Sequence, residues 1–187
     1  MTTIYNLIDA WEFIDAQPDN SFDAIITDPM YFEAINIVEF VRVCRGNIIV
    51  FCDPKYRPFD IADEIHHWVK PQSTKNTSKK MSNFVEEILV IRRGSTYNTG
   101  LQWANYTGVW SDIIEGKIIH PFQKPLSLIE RLMRVYTNPG DKVLDPFAGS
   151  GTTGQAGLNL GRDVVMCDND VKYYDLWQVR GSGRVVK

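Results

Sequence analysis

Histidine and cysteine are scarce in this chain, three of each among 187 residues. The three histidines have no cysteine pattern at ligand spacing beside them, which argues against a structural zinc site. Cys44, Cys52 and Cys167 are odd in number and lie in apolar contexts. They read as buried thiols of a reducing, cytoplasmic protein and not as a disulfide framework. No apolar run approaches the length needed to span a membrane, and the opening residues Met-Thr-Thr-Ile-Tyr-Asn carry no basic leader. There is no internal repeat and no low-complexity tract. Nor is there an overall excess of positive charge, the net value being −3. A strongly basic nucleic-acid binder is therefore not advertised by charge alone.

What is present is an ordinary globular composition, 44% hydrophobic and 23% charged, with a charge distribution that is not ordinary. Residues 1–69 carry 4 Lys and Arg against 12 Asp and Glu, residues 70–134 carry 10 against 5, and residues 135–187 are balanced. Apolar runs bounded by turn residues alternate with helical patterns. Strands are expected over 22–28, 47–53, 84–92, 142–146 and 163–168. Helices are expected over 33–44, 58–69, 126–136 and 152–160. Short apolar strands separated by helices imply one α/β domain with a mainly parallel sheet covered on both faces. Ligands of such sheets bind at the carboxyl ends of the strands. Asp28, Asp53, Asp145 and Asp168 all fall there. The polar stretch 71–81 reads as a loop, and 94–117 as irregular surface structure.

Two constellations carry chemistry. Val143–Gly154 is a buried strand ending in Asp145-Pro146-Phe147-Ala148, a turn Gly149-Ser150-Gly151, and a helix opening at Thr152. Glycines before a helix start leave backbone N–H groups and a positive dipole end free for a carboxylate or phosphate. Gly149, Gly151 and Gly154 also match a dinucleotide-binding pattern, but there the glycines follow the strand almost directly. Asp168 ends the next strand, where a carboxylate can take both ribose hydroxyls of a nucleoside. The second constellation is Asp28-Pro29-Met30-Tyr31. An exocyclic base amine is a poor nucleophile because its lone pair is delocalised into the ring. A carboxylate (Asp28) and a backbone carbonyl (Pro29) accepting its two N–H groups aim that lone pair, and the ring of Tyr31 can stack on an extruded base. Alone, such a tetrapeptide is more often a strand-terminal turn. Paired with the glycine turn it points to S-adenosyl-L-methionine and methyl transfer to an amine. A third segment, His120-Pro121-Phe122-Gln123-Lys124-Pro125, is a rigid helix entry that can hold Lys124 near a cofactor carboxylate.

With these residues in view, the chain resembles the β arrangement of amino-type DNA methyltransferases, which act on adenine N6 or cytosine N4. The matching text runs from Pro18 to Pro29, through Trp68-Val69-Lys70-Pro71 and His120–Pro125, to Asn138–Gly154. The resemblance implies a single permuted, Rossmann-like methyltransferase domain with a seven-stranded, mostly parallel sheet and helices on both faces. Residues 1–69 would form the catalytic half, 70–118 a short basic target-recognition region and 119–187 the cofactor-binding half. It places S-adenosyl-L-methionine at Asp145, Phe147, Gly149, Ser150, Gly151, Thr152 and Asp168, with Asp9 near its adenine ring. A flipped DNA base would sit against Asp28, Pro29 and Tyr31. No metal and no membrane enter this picture. Asp28, where cytosine-N4 members often have serine, favours adenine.

Two departures from the family pattern stand out. Met30 replaces the second proline of the catalytic motif, leaving the Pro29 carbonyl and the Tyr31 ring in place but removing rigidity. The recognition region is also short. Lys75, Lys79 and Lys80 on the polar loop and Arg92 and Arg93 after a strand are expected phosphate contacts, which position a duplex without reading bases. A short target sequence, or a homodimer supplying a second reading surface, is the expectation.

Overall fold

The computed structural model describes residues 2–30, 35–70, 85–93, 98, 108–113 and 123–181. Eight strands form one sheet: β1 (Thr3–Leu7), β2 (Phe22–Thr27), β3 (Cys44–Cys52), β4 (Glu64–Val69), β5 (Val85–Ile91), β6 (Val109–Trp110), β7 (Lys142–Asp145) and β8 (Asp163–Asp168). Their spatial order is β1-β8-β7-β2-β3-β5-β4-β6. The five strands from β1 to β3 are mutually parallel, whereas β5 runs antiparallel to both β3 and β4. The expected sheet is therefore present, with the two-residue β6 added at its edge as an eighth strand.

Alternation along the strands sends side chains to two faces. On one face, Ala24 and Ile26 of β2 and Ile49 and Phe51 of β3 join Leu128 and Leu132 of α3 (Leu126–Tyr136), Ala156 of α4 (Thr152–Leu160) and Trp177 of α5 (Val171–Gly181). On the other, Ile25, Ile48 and Val50 meet Ile14 of α1 (Ala10–Asp15) and Phe40 and Val43 of α2 (Ile37–Val43). The expected helices at 126–136 and 152–160 and the strand at 163–168 have the bounds read from the sequence. In α3 the buried Leu128, Ile129, Leu132, Met133 and Tyr136 recur at helical spacing and form its core stripe. Helix α4 lies close against β8 because Gly157 has no side chain; a Cβ there would come within 2.1 Å of Val164.

One element differs in kind. The helix expected over 58–69 is absent, and Glu64–Val69 is strand β4. His66 and Trp68 are buried while Ile65, His67 and Val69 are exposed, a period of two that overrides the local helical reading. Among the described residues no helix is long and apolar enough to cross a membrane, and no group of side chains is arranged to hold a metal ion.

Candidate active site

A cleft of about 390 Å³ opens at the carboxyl ends of β2, β7 and β8. Asp28, Asp145 and Asp168 line it from the three strand ends, and Phe147, Gly149, Ser150 and Thr152 line it from the turn between β7 and α4. Asp9 and Lys124 complete the lining among the sequence-predicted residues. Pro29 is buried directly after Asp28, whereas Met30 is half-exposed on the wall. Tyr31 lies outside the described residues.

The glycine turn is tied on two sides. The Gly149 N–H donates to Asp168 Oδ2 at 2.8 Å, and its carbonyl accepts from the Tyr5 hydroxyl at 2.7 Å. The Asp170 N–H donates to Asp168 Oδ1 at 2.9 Å, so both oxygens of this carboxylate are oriented by backbone. Gly151 opens α4 with φ +76°, a left-handed conformation that glycine adopts freely. A Cβ there would also sit 2.5 Å from the Trp177 ring. Asp145 is 4% exposed and accepts from the Thr27 hydroxyl at 2.8 Å and the Phe147 N–H at 3.2 Å. Burial pushes its carboxyl up to about 6 against the pull of hydrogen bonds from Thr153, Thr27 and Phe147. Asp9 caps α1, with Oδ1 accepting from the Trp11 and Glu12 N–H groups at 2.9 and 3.2 Å. This end of the cleft fits a polar, nucleoside-like ligand.

The other end is built around one ammonium. Lys124 Nζ donates to Asp28 Oδ2 and lies 3.1 Å from Glu86 Oε2. Lys70 Nζ pairs with the other Glu86 oxygen. The rings of Phe51 and Trp68, centred 5.1 and 5.8 Å from Lys124 Nζ, wall the group off from water. Burial pushes the Asp28 carboxyl up to about 6, although Lys124 pulls the other way. Burial also acts to raise Glu86, but Lys124 and Lys70 overcome it and hold that carboxyl below its usual range. Asp28 Oδ1 is buried and has no hydrogen-bond partner among the described residues.

Lys124, expected beside a cofactor carboxylate, is thus set on Asp28. Sequence reasoning missed Glu86 and Lys70. The available signal was the strand Val-Glu-Glu-Ile-Leu-Val-Ile, where two adjacent carboxylates must point to opposite faces of an otherwise apolar strand. The expected phosphate contacts fare differently. Lys75, Lys79 and Lys80 lie outside the described residues. Arg92 pairs with Glu64 at 3.2 Å, and the Arg93 guanidinium donates to the carbonyls of Val41 and Cys44. Both arginines follow Ile91, which pairs with Ile48 in the middle of β3, and Arg93 reaches the Cys44 carbonyl at the start of β3, the end of that strand away from the cleft.

A mostly parallel sheet with an antiparallel β5, a glycine turn after β7 and a carboxylate closing β8 define an α/β protein of the methyltransferase class. Residues 16–179 match the model of a family described as DNA methylase, the N6/N4 methyltransferases, and the chain belongs to that family. It is 42% identical over 69 residues to the type II methyltransferase M2.MboI of Moraxella bovis, a stretch covering 37% of this chain and 24% of that protein. It is 47% identical over 57 residues to M1.MboII of the same organism, covering 30% of this chain and 22% of the relative. The aligned stretches thus span about a quarter of the curated relatives' own length. The crystal structure of the M1.HpyAVI–SAM complex superposes with a TM-score of 0.74 at 24% identity, covering 96% of this chain and all of that one. The cytosine-N4-specific PvuII DNA methyltransferase superposes equally well, 0.74 at 15% identity over 98% and 94% of the two chains.

Proposed function

We propose that the protein transfers a methyl group from S-adenosyl-L-methionine to the N6 amine of adenine in DNA. The observation that carries this reading is Asp28 Oδ1, a buried carboxylate oxygen in the cleft with no partner among the described residues. A buried acceptor left unpaired is costly, and an incoming N–H removes that cost. The Pro29 carbonyl takes the second N–H, and Tyr31 stacks on the extruded base. The Gly149–Gly151 turn and the opening of α4 receive the polar groups of the cofactor, Asp168 its ribose hydroxyls, and Asp9 the vicinity of its adenine. Phe147, Ser150, Thr152 and Asp145 shape the same wall. The bound cofactor supplies an electrophilic methyl group on a sulfonium.

Residues 70–118 are assigned to target recognition, alone or with a second copy of the chain, and the flanking segments to catalysis and cofactor binding. Incubation of mixed-sequence DNA with methyl-labelled cofactor, followed by mass spectrometry of the nucleosides, tests the reading. N6-methyladenine is expected. N4-methylcytosine would retain the chemistry and move the acceptor. Cofactor and DNA binding with no modified base would leave a binding module in place of an enzyme.

A further inference from the structure

The charges at Asp28 form an alternating row, Asp28, Lys124, Glu86 and Lys70, of which Lys124 and Glu86 are buried. Glu86, on β5, is 6% exposed and shares Lys124 Nζ with Asp28. It lines no part of the cleft, so it acts on a bound base only through Asp28, by its share of the lysine and by its own charge. We propose that Glu86 is a positioning residue for methyl transfer, competing with Asp28 for the Lys124 ammonium and so leaving Asp28 basic enough to receive the proton the amine gives up. The inference rests on the function proposed above.

The chemistry requires such a receiver. The amine nitrogen gains the methyl carbon while the donor's carbon–sulfur bond breaks, its electron pair staying on the sulfur. The nitrogen then carries one proton too many, and Asp28 Oδ1, a buried acceptor without a partner among the described residues in a side chain that lines the cleft, can receive it. If Lys124 belonged to Asp28 alone, the carboxylate would be held as a strong ion pair and would take a proton poorly. If it had no cation at all, a buried Asp28 would stay protonated and could not accept the amine N–H. A shared ammonium sets it between these limits.

The groups that act on Asp28 from the surrounding elements fit this account. Lys124 and Lys70 lower its proton affinity and Glu86 raises it. Asp145, at the end of neighbouring β7, is a second buried carboxylate electrostatically coupled to it. At the end of β3, burial and the nearby Glu87 push the Cys52 thiol up to about 12, so it stays neutral.

The test follows the Asp28 carboxyl by carbon NMR in protein carrying 13C-labelled aspartate, with Asp28→Asn assigning the resonance. In Glu86→Gln the Asp28 midpoint should fall by about one unit from its wild-type position near 6. In Lys70→Met, which frees Glu86 to hold more of Lys124, it should rise. Opposite movements in two single-charge variants are not the signature of a merely structural residue. Lys70 is one-third exposed, so its variant serves even if Glu86→Gln fails to fold. An unchanged or raised midpoint in Glu86→Gln, or an unchanged or lowered one in Lys70→Met, overturns the proposal. The acid limb of kcat should follow the NMR midpoints with little change in KM for cofactor. A wild type that never methylates defeats the functional reading while leaving the NMR result to judge the charge row separately.

Discussion

Asp28 and Asp168 close parallel strands on either side of β7, yet they are held by opposite means. Asp168 is oriented by two backbone N–H groups, from Gly149 and Asp170, both belonging to turns at the same sheet end. Asp28 is held by a side chain 96 residues away in sequence, and only one of its oxygens is engaged. Backbone donors fix a carboxylate in place through the chain itself. A shared buried ammonium instead makes its proton affinity adjustable. The first arrangement suits a group that binds, the second a group that takes part in proton movement.

The sharpest break in this contrast is Asp28→Ala. It should abolish methyl transfer, read as product formation from labelled cofactor, while leaving cofactor affinity nearly intact by calorimetry. The amine contacts matter as the nitrogen rehybridises, so their loss appears in turnover. In the wild type, kcat should fall as pH drops through about 6, because only the ionised Asp28 accepts the amine N–H. A rate flat from pH 8 to pH 5 would separate Asp28 from the chemistry.

Gly151→Ala attacks the other side. It forces a side chain into φ +76° and against Trp177, and should cost about 1–3 kcal/mol of stability, measured by denaturant unfolding. Asp168→Ala should weaken S-adenosyl-L-methionine binding by about 1–3 kcal/mol, because it removes both the acceptor proposed for the ribose hydroxyls and the anchor of the Gly149 N–H. Affinity equal to wild type would reduce Asp168 to a turn residue.

The smallest effect concerns Asp145, whose folded-state pKa of about 6 lies above that of the unfolded chain. The native state then binds more protons than the unfolded state between those values, so this group's contribution to stability falls as pH rises through that window. Asp145→Asn should therefore be more stable than wild type at pH 8 by about 1–2 kcal/mol, with the gap closing towards pH 5. Thermal melts at both pH values check it.

The contrast also explains how much could be read beforehand. The Asp145–Thr152 turn and Asp168 are legible because the features that mark them are local in sequence: a strand end, a glycine turn, the start of a helix. The row behind Asp28 is not, since Lys124, Glu86 and Lys70 come from three distant parts of the chain and meet only when β5 pairs with β4 and β3. Strand β4 reads as a helix in the sequence for a related reason. Ile61, Ile65 and Val69 stand four residues apart like a helical stripe, but these are the exposed residues, at 59%, 42% and 37%. Burial of Trp68 against the sheet's helical layer decided the matter, and that is a tertiary effect. Arg92 and Arg93 show the same limit, because charge on a strand end does not reveal which end of the sheet it occupies.

Strand β1 lies against β8, Thr3 opposite Val164 and Leu7 opposite Asp168. Strand β1 therefore has no partner edge until β8, about 160 residues further along the chain, is in place. Such a pairing closes a loop of about 160 residues, which slows folding and keeps Ile4 and Tyr5 without their native neighbours in the meantime. The glycine turn inherits the delay, for its carbonyl is secured by Tyr5. The glycine wall of the cleft is thus complete only once two strands far apart in sequence have met.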